Sequence, residues 1–151
     1  MALVGYTTGG GDISFDVATI AGYRRFCNKI YQATKYVLGR LGSDFVPRAE
    51  ITKGGKESLP ERWILHKLST SAKKINEHLD KREFSLSTQV GYKYFYEFLC
   101  DTYIENSKAI FEGGSAEEIE SAKQTLYTAI EGGLTMVRNP PSSTSISTGS
   151  D

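Results

Sequence analysis

The sequence predicts an all-α protein, an antiparallel up-and-down four-helix bundle, and three features carry that prediction. Apolar residues recur at helical spacing through four segments. Gly-, Pro- or Ser-bearing breaks separate those segments. Two of the breaks hold a serine followed three residues later by glutamate, the chemistry of a helix start. A chain of 151 residues with 39% apolar content is enough for one packed core.

Residues 1–16 form a Gly-rich lead-in. Gly9, Gly10 and Gly11 are not followed by the Gly-Lys-Ser/Thr of a phosphate-cradling loop, so they predict a turn, with Asp16 or the earlier Asp12 capping the first helix. That helix runs from Val17 to Leu41 and stops at Gly42. Ile20, Cys27, Thr34 and Leu41 make one apolar row, and Tyr23, Ile30 and Val37 the other. The reverse side carries Arg25, Lys29, Gln32, Tyr36 and Arg40, flanked by Arg24, Asn28 and Lys35. Residues 42–58, with Pro47 and Gly54-Gly55, have no sustained period and predict a long mobile surface loop.

Ser58-Leu59-Pro60-Glu61 opens the second helix, which extends to Lys81 with Ile64, Leu68, Ala72, Ile75 and Leu79 inward. Trp63 borders that stripe and is read as core. The third helix begins at Ser85 or Ser87 and continues to Phe111. It carries Tyr92, Tyr94, Phe95, Tyr96, Phe98 and Tyr103, more rings than one narrow stripe hides. Interleaved Glu97, Asp101 and Glu105 argue against a base-stacking platform there. Ser115 and Glu118 start a fourth helix, Ala116–Val137, with Ile119, Leu126 and Gly133 in one row and Ala122, Ala129 and Met136 in the other. Gly132-Gly133 either weakens this helix or admits a close neighbour. Residues 138–151 read as a disordered Ser/Pro-rich tail, which leaves 17–137 as the helical domain.

Formal net charge is zero, but it is divided. Residues 1–82 hold fourteen Lys and Arg against eight Asp and Glu, whereas residues 83–151 hold four against ten. The N-terminal half therefore has the sign that attracts phosphate, although ordinary solvated helix surface is the plainer explanation. His66 and His78 stand twelve apart with no second ligand at zinc spacing, so no metal or other cofactor is expected in the chain. Cys27 and Cys100 sit among apolar neighbours and predict two buried thiols. No run approaches the roughly 18 apolar residues of a membrane span, and Met1–Val4 is too short for a secretory signal, which points to the cytoplasm.

Three stretches carry a resemblance. The first is Gly9-Gly10-Gly11-Asp12-Ile13-Ser14-Phe15-Asp16 followed by Gly22-Tyr23-Arg24-Arg25-Phe26-Cys27-Asn28-Lys29-Ile30-Tyr31-Gln32-Ala33-Thr34-Lys35-Tyr36. The second is Leu59-Pro60-Glu61-Arg62-Trp63-Ile64-Leu65, and the third Leu99-Cys100-Asp101-Thr102-Tyr103-Ile104-Glu105-Asn106-Ser107-Lys108. In this order they resemble the anticodon-binding domain of class I valyl-tRNA synthetases, closest to the eukaryotic, fungal cytosolic form. The resemblance implies a helical bundle that grips the anticodon stem or loop of tRNA, with tRNA(Val) as the implied partner.

Full-length members attach valine to tRNA using ATP and magnesium, and an editing domain clears misattached threonine. The His-Ile-Gly-His-type and Lys-Met-Ser-Lys-Ser-type signatures of ATP handling do not occur in this sequence. The family's continuation past the fourth helix is replaced by the tail, so we expect a non-catalytic fragment or free-standing relative, marginally stable or prone to self-association. By analogy Arg24, Arg25, Lys29, Lys35 and Arg40 neutralise phosphates, and Arg62 adds a contact. Asn28 and Gln32 read base edges, and Tyr36 stacks an unpaired base. The competing role for each cation is plain solvation, and for Asn28 and Lys29 it is helix–helix hydrogen bonding. The alternatives are a helical protein-interaction module or a truncated product without function.

Overall fold

A computed structural model describes residues 17–48 and 57–138, with side chains from residue 21 onward. The expected N-terminal turn and cap, the Ile20 side chain, the middle of the long loop and the tail from residue 139 lie outside the described residues. Four helical rods account for nearly all the rest: α1, Val17–Leu41; α2, Leu59–Asp80; α3; and α4, Ala116–Arg138. Rod α3 is continuous, with Phe84–Lys93 in α form, Tyr94–Ile104 in the wider π form and Glu105–Gly113 in α form again. Against expectation α2 stops one residue early, α3 extends beyond both predicted ends, and α4 gains Arg138.

The ends follow local chemistry. Gly42 adopts φ of 80°, the left-handed geometry that releases the chain from α1. The following residues are anchored rather than loose. Gln124 on α4 donates from Nε2 to the Val46 carbonyl at 2.9 Å and accepts the Arg48 amide at 3.1 Å. Phe45 packs on Tyr127 with ring centroids 5.5 Å apart.

At the start of α2 the Ser58 amide donates to Glu61 Oε2 at 2.9 Å. That same oxygen accepts Ser121 Oγ–H of α4 at 2.8 Å. Glu61 is only 2% exposed, so the carboxylate that closes the helix start is also a buried strut between helices. Rods α2 and α3 join through Arg82, a non-glycine residue at φ 59°, where the Glu83 amide reaches the His78 carbonyl at 2.7 Å. At α4 the Ser115–Glu118 capping box closes, with Ser115 N–H to Glu118 Oε2 at 2.8 Å and Glu118 N–H to Ser115 Oγ at 3.3 Å. These hydrogen bonds hold the exposed Glu118 carboxyl below its usual range.

Side-chain pairings fix the directions of the rods. Phe26 meets Tyr92 and Phe95, while Arg40 lies over Phe111, so α1 and α3 run the same way. Glu61 meets Ser121 and Leu68 lies beside Gly132, so α2 and α4 run together, and Tyr94 beside Gly133 with Tyr103 beside Thr125 sets both against α3. The order is up-down-up-down. Rods α3 and α4 form a central pair, with α1 packed on one side of both and α2 on the other.

The π stretch explains where the surplus aromatics go. Its buried residues come in neighbouring pairs, Tyr94 and Phe95, Leu99 and Cys100, Tyr103 and Ile104. The spacing between pairs is five and then four, that of i→i−5 winding rather than a 3.6-residue turn. Thr102 fits this winding by donating its hydroxyl to the Glu97 carbonyl at 2.8 Å. The Tyr94 hydroxyl donates to the Ala129 carbonyl at 2.9 Å, and burial holds its pKa well above the ordinary phenol value. The buried Tyr103 hydroxyl lies near Thr125 but makes no hydrogen bond among the described residues. Trp63 packs edge-on against Phe98, ring centroids 5.7 Å apart.

Candidate nucleic-acid interface

The inward stripe of α1 is Phe26, Ala33, Val37 and Leu41, with Ile30 half-buried among them. It is centred on Phe26 rather than Cys27, so the helix is rotated from the expected heptad. Cys27 therefore faces solvent, correcting the expectation of two buried thiols. Cys100 is buried, and burial pushes its thiol up to about 11 despite the opposing charge of Lys29. A thiol-specific chromogenic reagent at neutral pH should count one cysteine in the native protein and two in denaturant. Two fast thiols in the native state would contradict this packing.

The same rotation sorts the predicted binding residues into two groups. Arg24, Arg25, Asn28, Gln32 and Lys35 are exposed on the outer side of α1 and make no hydrogen bond or ion pair among the described residues. Lys29, Tyr36 and Arg40 turn towards α3. Lys29 Nζ sits 2.7 Å from Asp101 Oδ1 and 3.3 Å from the Tyr96 ring centroid. Burial acts to lower the Lys29 pKa, but the hydrogen bond and charge of Asp101 outweigh it and the net shift is upward. Its ammonium is a tie between helices, the competing role the sequence allowed.

Tyr36 has its hydroxyl buried without a hydrogen-bond partner among the described residues. Arg40 lies across the Tyr36 and Phe111 rings at 5.2 and 5.6 Å. Arg40 thus occupies space over the Tyr36 ring that a stacked base would need, while its exposed guanidinium keeps contact with water. Arg62 is exposed on α2, across the α3–α4 pair from α1, so it is not brought to the α1 surface.

Acidic residues on α3 do not neutralise the outer face of α1. Asp101 is committed to Lys29, Glu97 approaches Lys93 at 3.7 Å, and Glu105 pairs with Lys108 at 2.8 Å. Among the described residues this leaves outward three cations without ion pairs, two amides and one aromatic ring absent from the sequence-predicted set, Tyr31. Helical spacing alone puts it in the row Arg24, Asn28, Tyr31, Lys35. Among the described residues no three metal-ligating side chains converge, and no helix is long and apolar enough to cross a membrane.

The chain is similar to known proteins over most of its length. Residues 61–138 match the family model described as the anticodon-binding domain of tRNA ligase. Over 90% of its length the chain is 53% identical to the mitochondrial valine–tRNA ligase of Saccharomyces cerevisiae, of which it covers 12%. It is 44% identical, over 89% of its length, to the valine–tRNA ligase of Schizosaccharomyces pombe, covering 14% of that protein. With the Homo sapiens valine–tRNA ligase the identity is 39% over 89% of the chain and 11% of the relative. The chain thus spans a small part, 11% to 14%, of the curated relatives it matches. No solved structure matches it.

Proposed function

Because this chain belongs to the family of anticodon-binding domains of tRNA ligases, we propose that it is the tRNA-gripping helical module of a valine–tRNA ligase. Its partner is the anticodon stem or loop of a tRNA, with tRNA(Val) as the cognate species. The finer assignment is to the class I, eukaryotic type. The cytoplasmic setting read from the sequence belongs to the proposal, beside the mitochondrion that the name of the S. cerevisiae relative specifies for that protein. The chain needs no cofactor of its own in this role. ATP and magnesium serve aminoacylation in complete enzymes.

The observation that carries the reading is the outer side of α1, where Arg24, Arg25 and Lys35 stand exposed without ion pairs among the described residues while neighbouring Lys29 is paired. A phosphate backbone supplies the missing counter-charge, and the amides of Asn28 and Gln32 lie among these cations to meet base edges. Lys29 and Arg40 support the surface by fixing α1 on α3. A second reading, a contact with another helix, draws on the apolar groove between α1 and α4, where Leu38 and Leu134 remain exposed above Val37 and Ile130.

Equilibrium binding of tRNA across about 50 to 200 mM salt tests the proposal. Affinity should fall steeply with salt. Arg24→Glu, Arg25→Glu and Lys35→Glu combined should weaken binding and flatten the salt slope by about one unit for each cation that meets a phosphate. Lys29→Met should change affinity less than any of these. Salt-independent binding, or a triple variant that binds like the wild type, overturns the RNA reading.

A further inference from the structure

Along the outward side of α1, Arg24, Asn28, Tyr31, Lys35 and Leu38 are spaced alternately by four and three, which stands them in one row. All five are exposed. At 65%, Tyr31 is the most exposed aromatic side chain among the described residues, ahead of Phe84 at 40% and Tyr92 at 39%.

Its surroundings set it apart from the other rings. Tyr92 stacks between Phe26 and Tyr96, Trp63 and Phe98 carry Lys67, and Phe111 lies under Arg40. The Tyr31 ring has no aromatic or cationic neighbour and its hydroxyl no hydrogen bond among the described residues. Arg24 stands about two turns before it and Lys35 about one turn after, a stretch of roughly 16 Å along the axis. Neither cation has an ion pair among the described residues.

A single exposed tyrosine needs no explanation by itself. This one lies within a row whose remaining members define a partner. A second helix docking in the row would require apolar contacts along the seam, yet Arg24, Asn28 and Lys35 occupy three of its five positions. A single-stranded nucleic acid requires the reverse, an open ring face for a base with cations on either side for its backbone. We infer that Tyr31 is the base-stacking residue of this surface. It carries an unpaired base of an RNA loop, while Arg24 and Lys35 hold the flanking phosphates and Asn28 meets a base edge. The inference rests on the RNA-binding reading above and gives Tyr31 the task that the sequence assigned to Tyr36, whose hydroxyl is buried and whose ring is covered by Arg40.

The test compares the wild-type 151-residue chain with Tyr31→Ala and Tyr31→Trp, using an anticodon stem-loop RNA and a fully paired RNA of the same length. A fluorescent purine analogue in the loop reports stacking. Tyr31→Ala should lose about 5- to 150-fold in affinity for the loop RNA and abolish quenching of the analogue. Its salt slope and its binding to paired RNA should stay unchanged, and Tyr31→Trp should restore both loop affinity and quenching. The site is exposed, so thermal melts should report no loss of fold.

Steep salt-dependent binding by the wild type with no change in Tyr31→Ala overturns the stacking role and leaves the basic surface intact. Equal losses on loop and paired RNA, without rescue by tryptophan, also overturn it. Altered self-association with unaltered RNA binding overturns it as well and makes the row a protein contact. No RNA binding by the wild type at low salt overturns both the inference and the reading beneath it.

Discussion

Phe26→Ala should cost about 3–5 kcal/mol of folding stability, whereas Cys27→Ala, one position along, should stay within about 0.5 kcal/mol of the wild type. The Phe26 ring is 1% exposed. It lies 4.6 Å from the Tyr92 ring centroid in a stacked arrangement and 6.2 Å from Phe95 edge-on. Alanine would leave a void between two helices whose other contacts hold them apart, so little of it can collapse. Cys27 points to solvent and loses almost nothing. Chemical denaturation of the two variants measures both values, and Phe26→Ala should lower the melting temperature by roughly 10–20 °C. Comparable losses at both positions would mean that α1 is turned as its heptad first indicates.

That adjacent pair shows where sequence reasoning reached its limit. The α1 heptad through Cys27 and Thr34 is as regular as the true stripe through Phe26 and Ala33. The ring of Phe26 decides between them by finding Tyr92 and Phe95 on α3, and such a cross-helix partner leaves no mark on α1 itself. Where the deciding chemistry was local, it was legible. Gly42 supplied the left-handed stop, Ser58 with Glu61 and Ser115 with Glu118 marked two helix starts, and Ala122, Leu126, Ala129, Gly133 and Met136 of the predicted α4 stripe are buried.

The π winding of Tyr94–Ile104 was legible only in hindsight. Apolar neighbours in pairs spaced five and four look irregular when a 3.6-residue period is assumed. The anchoring of residues 45–48 by Gln124 and Tyr127 is tertiary and gave no signal within the loop.

The same rule governs the candidate surface. Composition marked α1 as cationic, but it could not separate a lysine that faces water from one that faces a carboxylate 72 residues away. Lys29 and Lys35 differ by six positions, hence by a large rotation about the helix, and Asp101 on α3 captures only the former. A charged helix is thus divided by its neighbours into cations that hold the fold and cations that remain free. The free group includes Arg24, Arg25 and Lys35.

Gly133→Ala should destabilise the protein by about 1–3 kcal/mol even though alanine is the better helix former by about 1 kcal/mol. A Cβ at this position would lie 2.8 Å from Tyr94 Cε1 and 2.9 Å from Phe95 Cζ. Both rings are essentially inaccessible, and Tyr94 is further fixed by its hydrogen bond to the Ala129 carbonyl one turn earlier on the same helix. Neither ring has room to withdraw, so overpacking outweighs propensity. At the preceding residue the balance reverses. A Cβ on Gly132 would meet Leu68 Cδ2 at 2.8 Å, the tip of a flexible side chain that is only half-buried. Gly132→Ala should therefore be neutral or slightly stabilising, the helix gain offsetting a small shift of Leu68. Urea denaturation of the two single variants decides the matter. If Gly133→Ala is the more stable of the two, the close approach of the α3 π segment to α4 is not where this structure has it.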